Sequence, residues 1–288
     1  MQIGIGLPST IPGVEGPRVV EWARSAERRG FSSLGVIDRI VYDNYEPLIA
    51  LAAAAAVTER IRLASTILIA PYRANAALLA KQAASVDRLS GGRLVLGMAV
   101  GGRPDDYESS GVAMAGRGRR FEEMLVEMKK IWAGESRGFA GAIGPRPPRE
   151  GGPEVIIGGQ ADVAFRRAAT YGAGWIMGGG DPQSFAAAAE QARAEWARQG
   201  RAGSPRLLSL AYFSLGPQAA EHARRYLPDY YGFMGVKPDV AEQMALIGPD
   251  AVRGAAGQFA DAGCDELIMF PCSPDLDQVH LLADAALG

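Results

Sequence analysis

The feature that most constrains this chain is a regular alternation, sustained from one end to the other, of short β-rich runs with amphipathic helical stretches. That rhythm belongs to βα units wound around a parallel sheet. Eight strand-like runs are legible: Gln2–Leu7, Ser33–Ile37, Ile61–Ile69, Arg93–Val100, Glu154–Ile157, Gly174–Met177, Leu207–Leu215 and Glu266–Phe270. Helical stretches follow them at Arg18–Arg29, Pro47–Thr58, Ala77–Ser90, Arg117–Trp132, Asp162–Tyr171, Pro182–Gln199, Ala251–Ala262 and Leu276–Leu287. Eight of each predict an α/β fold, a closed (β/α)8 TIM barrel. Along Arg117–Trp132, Phe121, Met124, Leu125, Met128, Ile131 and Trp132 recur at three and four residues, so one face of that helix is expected to pack on the sheet. Gly30, Gly91, Gly92, Gly172 and Gly263 fall just past helices, where a left-handed cap would turn the chain back toward a strand.

Two segments interrupt the rhythm. Ala133–Pro153 is dense in Gly, Pro and Arg, and Gly216–Pro249 has room for short extra helices. They read as insertions, at about 133–153 and 216–249, within one barrel domain spanning 1–288. The first lies between a helix and the next strand, at the barrel bottom. The second follows the seventh strand, at the top, where it would help to cover a site.

Composition narrows the function. Apolar residues are 48% and charged residues 22% of the 288, as expected for a globular chain that buries a large core. A net charge of −2 and the lack of a long Lys/Arg run argue against a nucleic-acid partner. Met1–Leu7 has no positive leader-like flank and Leu48–Val57 is too short to span a bilayer, so the expectation is a cytoplasmic protein with no membrane association. Cys264 and Cys272 are too few for a disulfide framework and lack neighbours at metal-ligand spacing; they read as buried thiols, and no metal site is expected.

The active site of a barrel lies at the strand C-termini. Here those positions carry Pro8-Ser9, Asp38-Arg39, Ser65-Thr66, Gly101-Gly102, Gly158-Gly159-Gln160 and Gly178-Gly179-Gly180-Asp181. One glycine pair is ordinary turn punctuation. Three at a single face admit a second reading, in which backbone N–H groups approach an anion such as a phosphate. No GxGxxG, P-loop, GxSxG, HExxH or Cys/His pair is present, and His222 and His280 fall on helices away from the strand ends. A glycine-rich mouth with few acid/base groups points to an organic cofactor as carrier of the chemistry.

Leu63–Gly111 reads LASTILIAPYRANAALLAKQAASVDRLSGGRLVLGMAVGGRPDDYESSG, followed by Arg117-Gly118-Arg119-Arg120-Phe121-Glu122-Glu123-Met124. The Pro-x-Arg after the third strand, the helix ending Asp-Arg-Leu-Ser-Gly-Gly-Arg, and the acidic-aromatic pair before Gly111 resemble the luciferase-like monooxygenase and F420-dependent oxidoreductase family. Ile157-Gly158-Gly159 and Gly174-Trp175 add to the likeness, which covers most of the chain. The resemblance implies a barrel that holds a flavin or deazaflavin at its mouth.

By position, Asp38 matches the family's aspartate after strand two and is the candidate catalytic residue, although Arg39 stands where many members have His. Ser65, Thr66 and Ile67 match the segment against the central ring, where the family often has a non-proline cis peptide, placed here at Thr66–Ile67. Gly101 and Gly102 match the fourth-strand end, and Gly158, Gly159, Gly178 and Gly179 the phosphate cradle. Pro8 and Gln160, also at strand ends, complete the cofactor-binding set. Arg120 reads either as an ion pair with Glu123 and Glu127 or as an inward residue.

The leading expectation is an oxidoreductase that uses reduced F420 for hydride transfer to or from a small organic substrate, because the chain is short for the family's FMN monooxygenases. One alternative is an FMN-dependent monooxygenase that uses O2 and a partner flavin reductase; another is a flavin-binding barrel without turnover. A homodimer is expected from the apolar tract Leu48–Val57, which would otherwise simply pack on the sheet.

Overall fold

A computed structural model describes residues 1–288. Strands β1 (Gln2–Gly6), β2 (Ser33–Val36), β3 (Arg62–Ile69), β4 (Leu94–Ala99), β5 (Glu154–Gly158), β6 (Gly174–Met177), β7 (Arg206–Ser214) and β9 (Glu266–Pro271) run parallel. Pairing of β6 with β7, and of β9 with both β7 and β1, closes the eight into a barrel. The eight predicted strands are these eight. A ninth, β8 (Ala245–Ile247), lies outside the closed ring and extends the end of β7 through Tyr212–Ser214.

The helices are α1 (Gly16–Arg29), α2 (Pro47–Ala55), α3 (Ala76–Leu89), α4 (Pro104–Ser109), α5 (Arg117–Trp132), α6 (Asp162–Tyr171), α7 (Pro182–Arg198), α8 (Ala219–Tyr231), α9 (Pro238–Met244), α10 (Pro249–Asp261) and α11 (Asp277–Ala286). Segment 133–153 carries only an isolated Ser136–Ala142 bridge, whereas 216–249 supplies α8, α9 and β8. No helix is long and apolar enough to cross a membrane. On α2, Leu48, Leu51, Ala54 and Ala55 face inward while Ile49 is 64% exposed, so the inner side of the apolar tract packs on the barrel and its outer side does not.

Two apolar layers hold the barrel. The larger lies between strands and helices and includes the predicted face of α5. The smaller fills the interior with Val95, Ile156, Ile176, Leu208, Ile268 and Phe270, and continues upward onto α8. Phe270 fits there because β1 and β2 present glycines: a β-carbon on Gly6 would stand 2.3 Å from its ring, and one on Gly35 2.9 Å away. Of the glycines predicted as left-handed caps, Gly172 is an exception with φ −102; its β-carbon would stand 3.0 Å from the Ala168 carbonyl oxygen, so close approach explains it.

The Gly-Gly-Arg that ends α3 has a structural use. The Arg93 guanidinium donates to the carbonyls of Ser90 (2.7 Å), Ile61 (2.7 Å) and Thr58 (2.8 Å), tying the ends of α2 and α3 to the start of β3. At the barrel bottom, Glu266 is buried among Arg62, Arg206 and Ser32, and Arg206 also pairs with Glu154 at 2.9 Å. Removing Glu266 takes its only carboxylate partner from Arg62 and one of two from Arg206, while Glu266 itself is fully buried. The Glu266→Ala change is therefore expected to cost about 3 kcal/mol, read as a lower midpoint in chemical denaturation with unchanged ligand affinity at the opposite end of the barrel. A loss under about 1 kcal/mol would mean the network is solvated.

Candidate functional site

At the C-terminal ends of the strands two cavities meet. The smaller, about 190 Å³, is walled by Ile37 and Asp38 after β2, Thr66, Ile67 and Ile69 of β3, Tyr72, Gly101–Arg103 after β4, Asp106 and Tyr107 of α4, Gly178 after β6, Leu210 of β7, and Tyr230 and Tyr231 of α8. The larger, about 690 Å³, continues past Gly178, Leu210 and Tyr231 toward α10.

The floor is β3. Its pairing with β4 shifts register between Ser65 and Leu68, and the Thr66–Ile67 peptide is cis, at the position expected. The Ser65 hydroxyl is turned away, donating to the Gly97 carbonyl at 2.9 Å, and the Thr66 hydroxyl donates to Val36 O at 3.2 Å. Ile67 is left as the apolar surface; its Cδ1 stands where β-carbons on Gly158 (2.4 Å) and Gly178 (3.3 Å) would lie.

Asp38 is buried, and its oxygens are engaged. It accepts from the Ile69 amide at 2.8 Å and from the Arg73 guanidinium at 3.0 Å, while Arg73 reaches on to Glu46 at 2.7 Å. Burial pushes its carboxyl up, against the pull of Arg73 and these hydrogen bonds. The Arg of the Pro-x-Arg segment is thus the partner of Asp38. Beside them stands Tyr72, whose buried hydroxyl lies near the Asp38 carboxylate without making a hydrogen bond of good geometry; burial first, then that carboxylate, raise its ionisation far above the ordinary phenol range, so it stays protonated.

Arg39 turns away from the cavity. It donates to Asp105 at 2.9 Å and to the Tyr230 carbonyl at 3.4 Å, with its guanidinium over the rings of Tyr42 and Tyr230. Arg103 donates to the same carbonyl at 3.3 Å and stacks 3.9 Å from the Phe233 centroid. Two cations thus meet the C-terminal end of α8, where the helix dipole favours them, and hold that helix over the mouth. Asp106 fixes the intervening loop by accepting from the amides of Ile40 (2.9 Å) and Val41 (2.8 Å).

Of the residues expected to bind a cofactor, the smaller cavity brings together Asp38, Thr66, Ile67, Gly101, Gly102 and Gly178, and the larger adds Gly179. The backbone N–H groups of Gly101, Gly102, Gly178 and Gly179 donate to no backbone acceptor. A β-carbon on Gly102 would meet nothing within 4 Å. Pro8, Ser65, Gly158, Gly159 and Gln160 line neither cavity. Pro8 opens a turn by accepting from Ile11 N at 3.1 Å. Gly159 has φ +127, accepts from the Trp175 indole at 2.7 Å, and would place a β-carbon 2.9 Å from that of Ala164, so its absence of a side chain is explained by packing. Gln160 is exposed at the start of α6, whose N-terminus has no side-chain cap.

Sequence reasoning passed over Tyr72, Arg103, Asp106, Tyr107, Tyr230 and Tyr231. The first four stand in or beside the Pro-x-Arg and acidic-aromatic segments, so a local signal existed; the last two lie in the second insertion, which has none. Arg120 makes neither of the ion pairs considered: it donates to Ala113 O at 3.0 Å, while Arg119 pairs with Glu123 at 3.6 Å and Glu127 with Arg137 at 2.6 Å. Both cysteines are buried and inert, with the Cys264 thiol pushed up to about 12 by burial. No three His, Cys, Asp or Glu side chains cluster as a metal site would require.

An uncharacterised protein of Mycobacterium tuberculosis is 35% identical over 191 residues, covering 57% of this chain and 66% of that protein. The FMNH2-dependent dimethylsulfone monooxygenase of Pseudomonas putida is 26% identical over 257 residues, covering 84% of this chain and 66% of its own length. The chain thus spans just under two thirds of the length of these curated relatives in the matching region. Among solved structures, an F420-dependent secondary alcohol dehydrogenase in complex with an F420-acetone adduct superposes with a TM-score of 0.84 over 99% of this chain and 98% of that one, at 16% identity, a likeness of fold. The profile of the luciferase-like monooxygenases matches residues 1–274, and the chain belongs to that family.

Proposed function

We propose that this chain is an oxidoreductase that uses reduced F420 for hydride transfer to or from a small organic substrate. The observation that carries the reading is the Tyr72 hydroxyl, a protonated donor without a well-formed hydrogen bond, in the wall of a cavity where Asp38, Arg103 and Asp106 stand with the apolar Ile37, Ile67, Ile69 and Leu210. Such a group costs free energy unless a ligand oxygen completes it. The deazaflavin ring carries a hydroxyl oxygen where FMN carries a methyl group, so the orphaned donor has more to meet on F420.

The residues present suit such a ring. Ile67 and Leu210 offer apolar faces, the amides of Gly101 and Gly102 are free for an anionic group, and Arg103 places a positive charge at the same rim. A bound reduced deazaflavin would supply the hydride equivalent. The chain's own contribution is to hold Tyr72 as a donor beside the Asp38–Arg73 pair, to leave the backbone bare at Gly101–Gly102, and to keep water out with α8 clamped by Arg39 and Arg103. The same reading takes the chain as a homodimer, through the outer face of α2 where Ile49 remains exposed.

An FMN-dependent monooxygenase working with a flavin reductase is the second reading, favoured by the 26% identity to the Pseudomonas putida enzyme over 84% of the chain. Anaerobic titration separates the two. Reduced F420 is expected to bind at least about tenfold tighter than reduced FMN, a difference of about 1.4 kcal/mol; the reverse order would give the site to FMN.

Two variants test the residues. Gly102→Leu, with space for its side chain, is expected to weaken cofactor binding by about tenfold or more with an unchanged denaturation midpoint; unchanged affinity would remove the bare-backbone argument. Tyr72→Phe deletes one neutral donor, worth about 0.5–1.5 kcal/mol, and is expected to weaken F420 by roughly two- to tenfold while leaving FMN unaffected. Equal effects on both cofactors would contradict the role given to this hydroxyl.

A further inference from the structure

The larger cavity differs in character from the smaller one it joins. Its outer wall is α10, which turns Ala251, Gly254 and Ala255 toward the space where larger side chains would fill it. A β-carbon on Gly254 would meet no heavy atom within 4 Å. Leu210, Ala211, Met234, Met244, Leu246 and Phe259 are among its other apolar lining residues. The polar side chains there are the amides of Gln243 and Gln258 and the hydroxyls of Tyr212 and Tyr231, which bond to each other at 2.8 Å.

Charge is the decisive feature. No Lys, Arg or His lines this cavity, and its one carboxylate, Asp181, is committed to the N-terminus of α7 by accepting from the Ser184 amide at 2.9 Å. An anionic ligand would lose its hydration and find no cation. The free amides of Gly178 and Gly179 here have no cation beside them, whereas on the β4 side Arg103 stands next to the free amides of Gly101 and Gly102, so the acidic part of a cofactor is better served there. At about 690 Å³ the space suits a molecule of ordinary ligand size, and it opens on the smaller cavity along Gly178, Leu210 and Tyr231.

We propose that this cavity binds the organic substrate and selects uncharged, predominantly apolar molecules whose one polar end lies at the Gly178 junction. The assignment of the occupant as substrate rests on reading the smaller cavity as the cofactor site; the selectivity for uncharged apolar molecules rests on the lining alone.

Calorimetric titration of the purified full chain with 1-decanol and with decanoate, which share a carbon count and differ in charge, tests the selectivity. The alcohol is expected to bind at least about tenfold tighter. Gly254→Leu, which fills the open space and favours helix, is expected to weaken alcohol binding by about tenfold with unchanged circular dichroism and unchanged cofactor affinity. Decanoate binding as tightly as decanol, or a folded Gly254→Leu chain that binds decanol like the parent, would overturn the proposal. So would a chain that binds F420 or FMN but no decanol. Decanol selectivity that is lost in Gly254→Leu, in a chain that binds neither cofactor, would support the cavity's selectivity and count against the cofactor reading instead.

Discussion

Ladder hydrogen bonds from β6 to β7, and from β9 to β7 and β1, convert an open sheet into a ring, and the rest of the molecule depends on that closure. Because all eight ring strands are parallel, closure gathers every strand end at one face, so residues far apart in sequence become neighbours. Asp38 after β2, Ile67 in β3, Gly102 after β4, Gly178 after β6 and Leu210 of β7 share a single cavity for this reason. Closure in turn requires a filled interior. Phe270 fills it against Gly6 and Gly35, and Glu266 with Glu154 neutralises Arg62 and Arg206 at the opposite end.

The mouth is organised by charge. Buried acids and guanidiniums there serve position: Arg73 bridges Asp38 and Glu46, and Arg39 joins Asp105 to the end of α8. The Nε atoms of both guanidiniums and the Tyr72 hydroxyl make no well-formed hydrogen bond, and of these three groups only Tyr72 lines the smaller cavity. On the β6–β7 side the lining becomes apolar and lacks cations. One face of the barrel therefore offers two environments within reach of each other, one suited to an anionic, oxygen-bearing ring and one to an uncharged molecule.

What was legible in the sequence follows from range. The strands could be read because each is a compact β-rich run bounded by turn residues, and α5 because its apolar positions recur on one face. Six-residue α4 and three-residue β8 are too short to carry a period, and both lie at the mouth. Half of the expected cofactor set, six residues of the twelve, lines the smaller cavity. For Gly158 and Gly159 the absence of a side chain instead answers a packing need, against Ile67 and Ala164 respectively. The contact of Tyr230 with Arg39 and Arg103 joins an insertion to two strand ends and leaves no trace in local pattern. The helix arginines show the same limit, since spacing alone could not say that Arg119, not Arg120, would pair with Glu123.

The central claim is that the smaller cavity at the C-terminal mouth is the cofactor site, with Tyr72 completing it. A crystal structure of the chain grown with F420 tests this most directly. The account predicts ring density against Ile67, with a ring oxygen within about 3.2 Å of the Tyr72 hydroxyl and the anionic tail running toward Gly101–Arg103. Ring density in the α10 cavity, or a ring in the smaller cavity with Tyr72 still unpartnered, would contradict it.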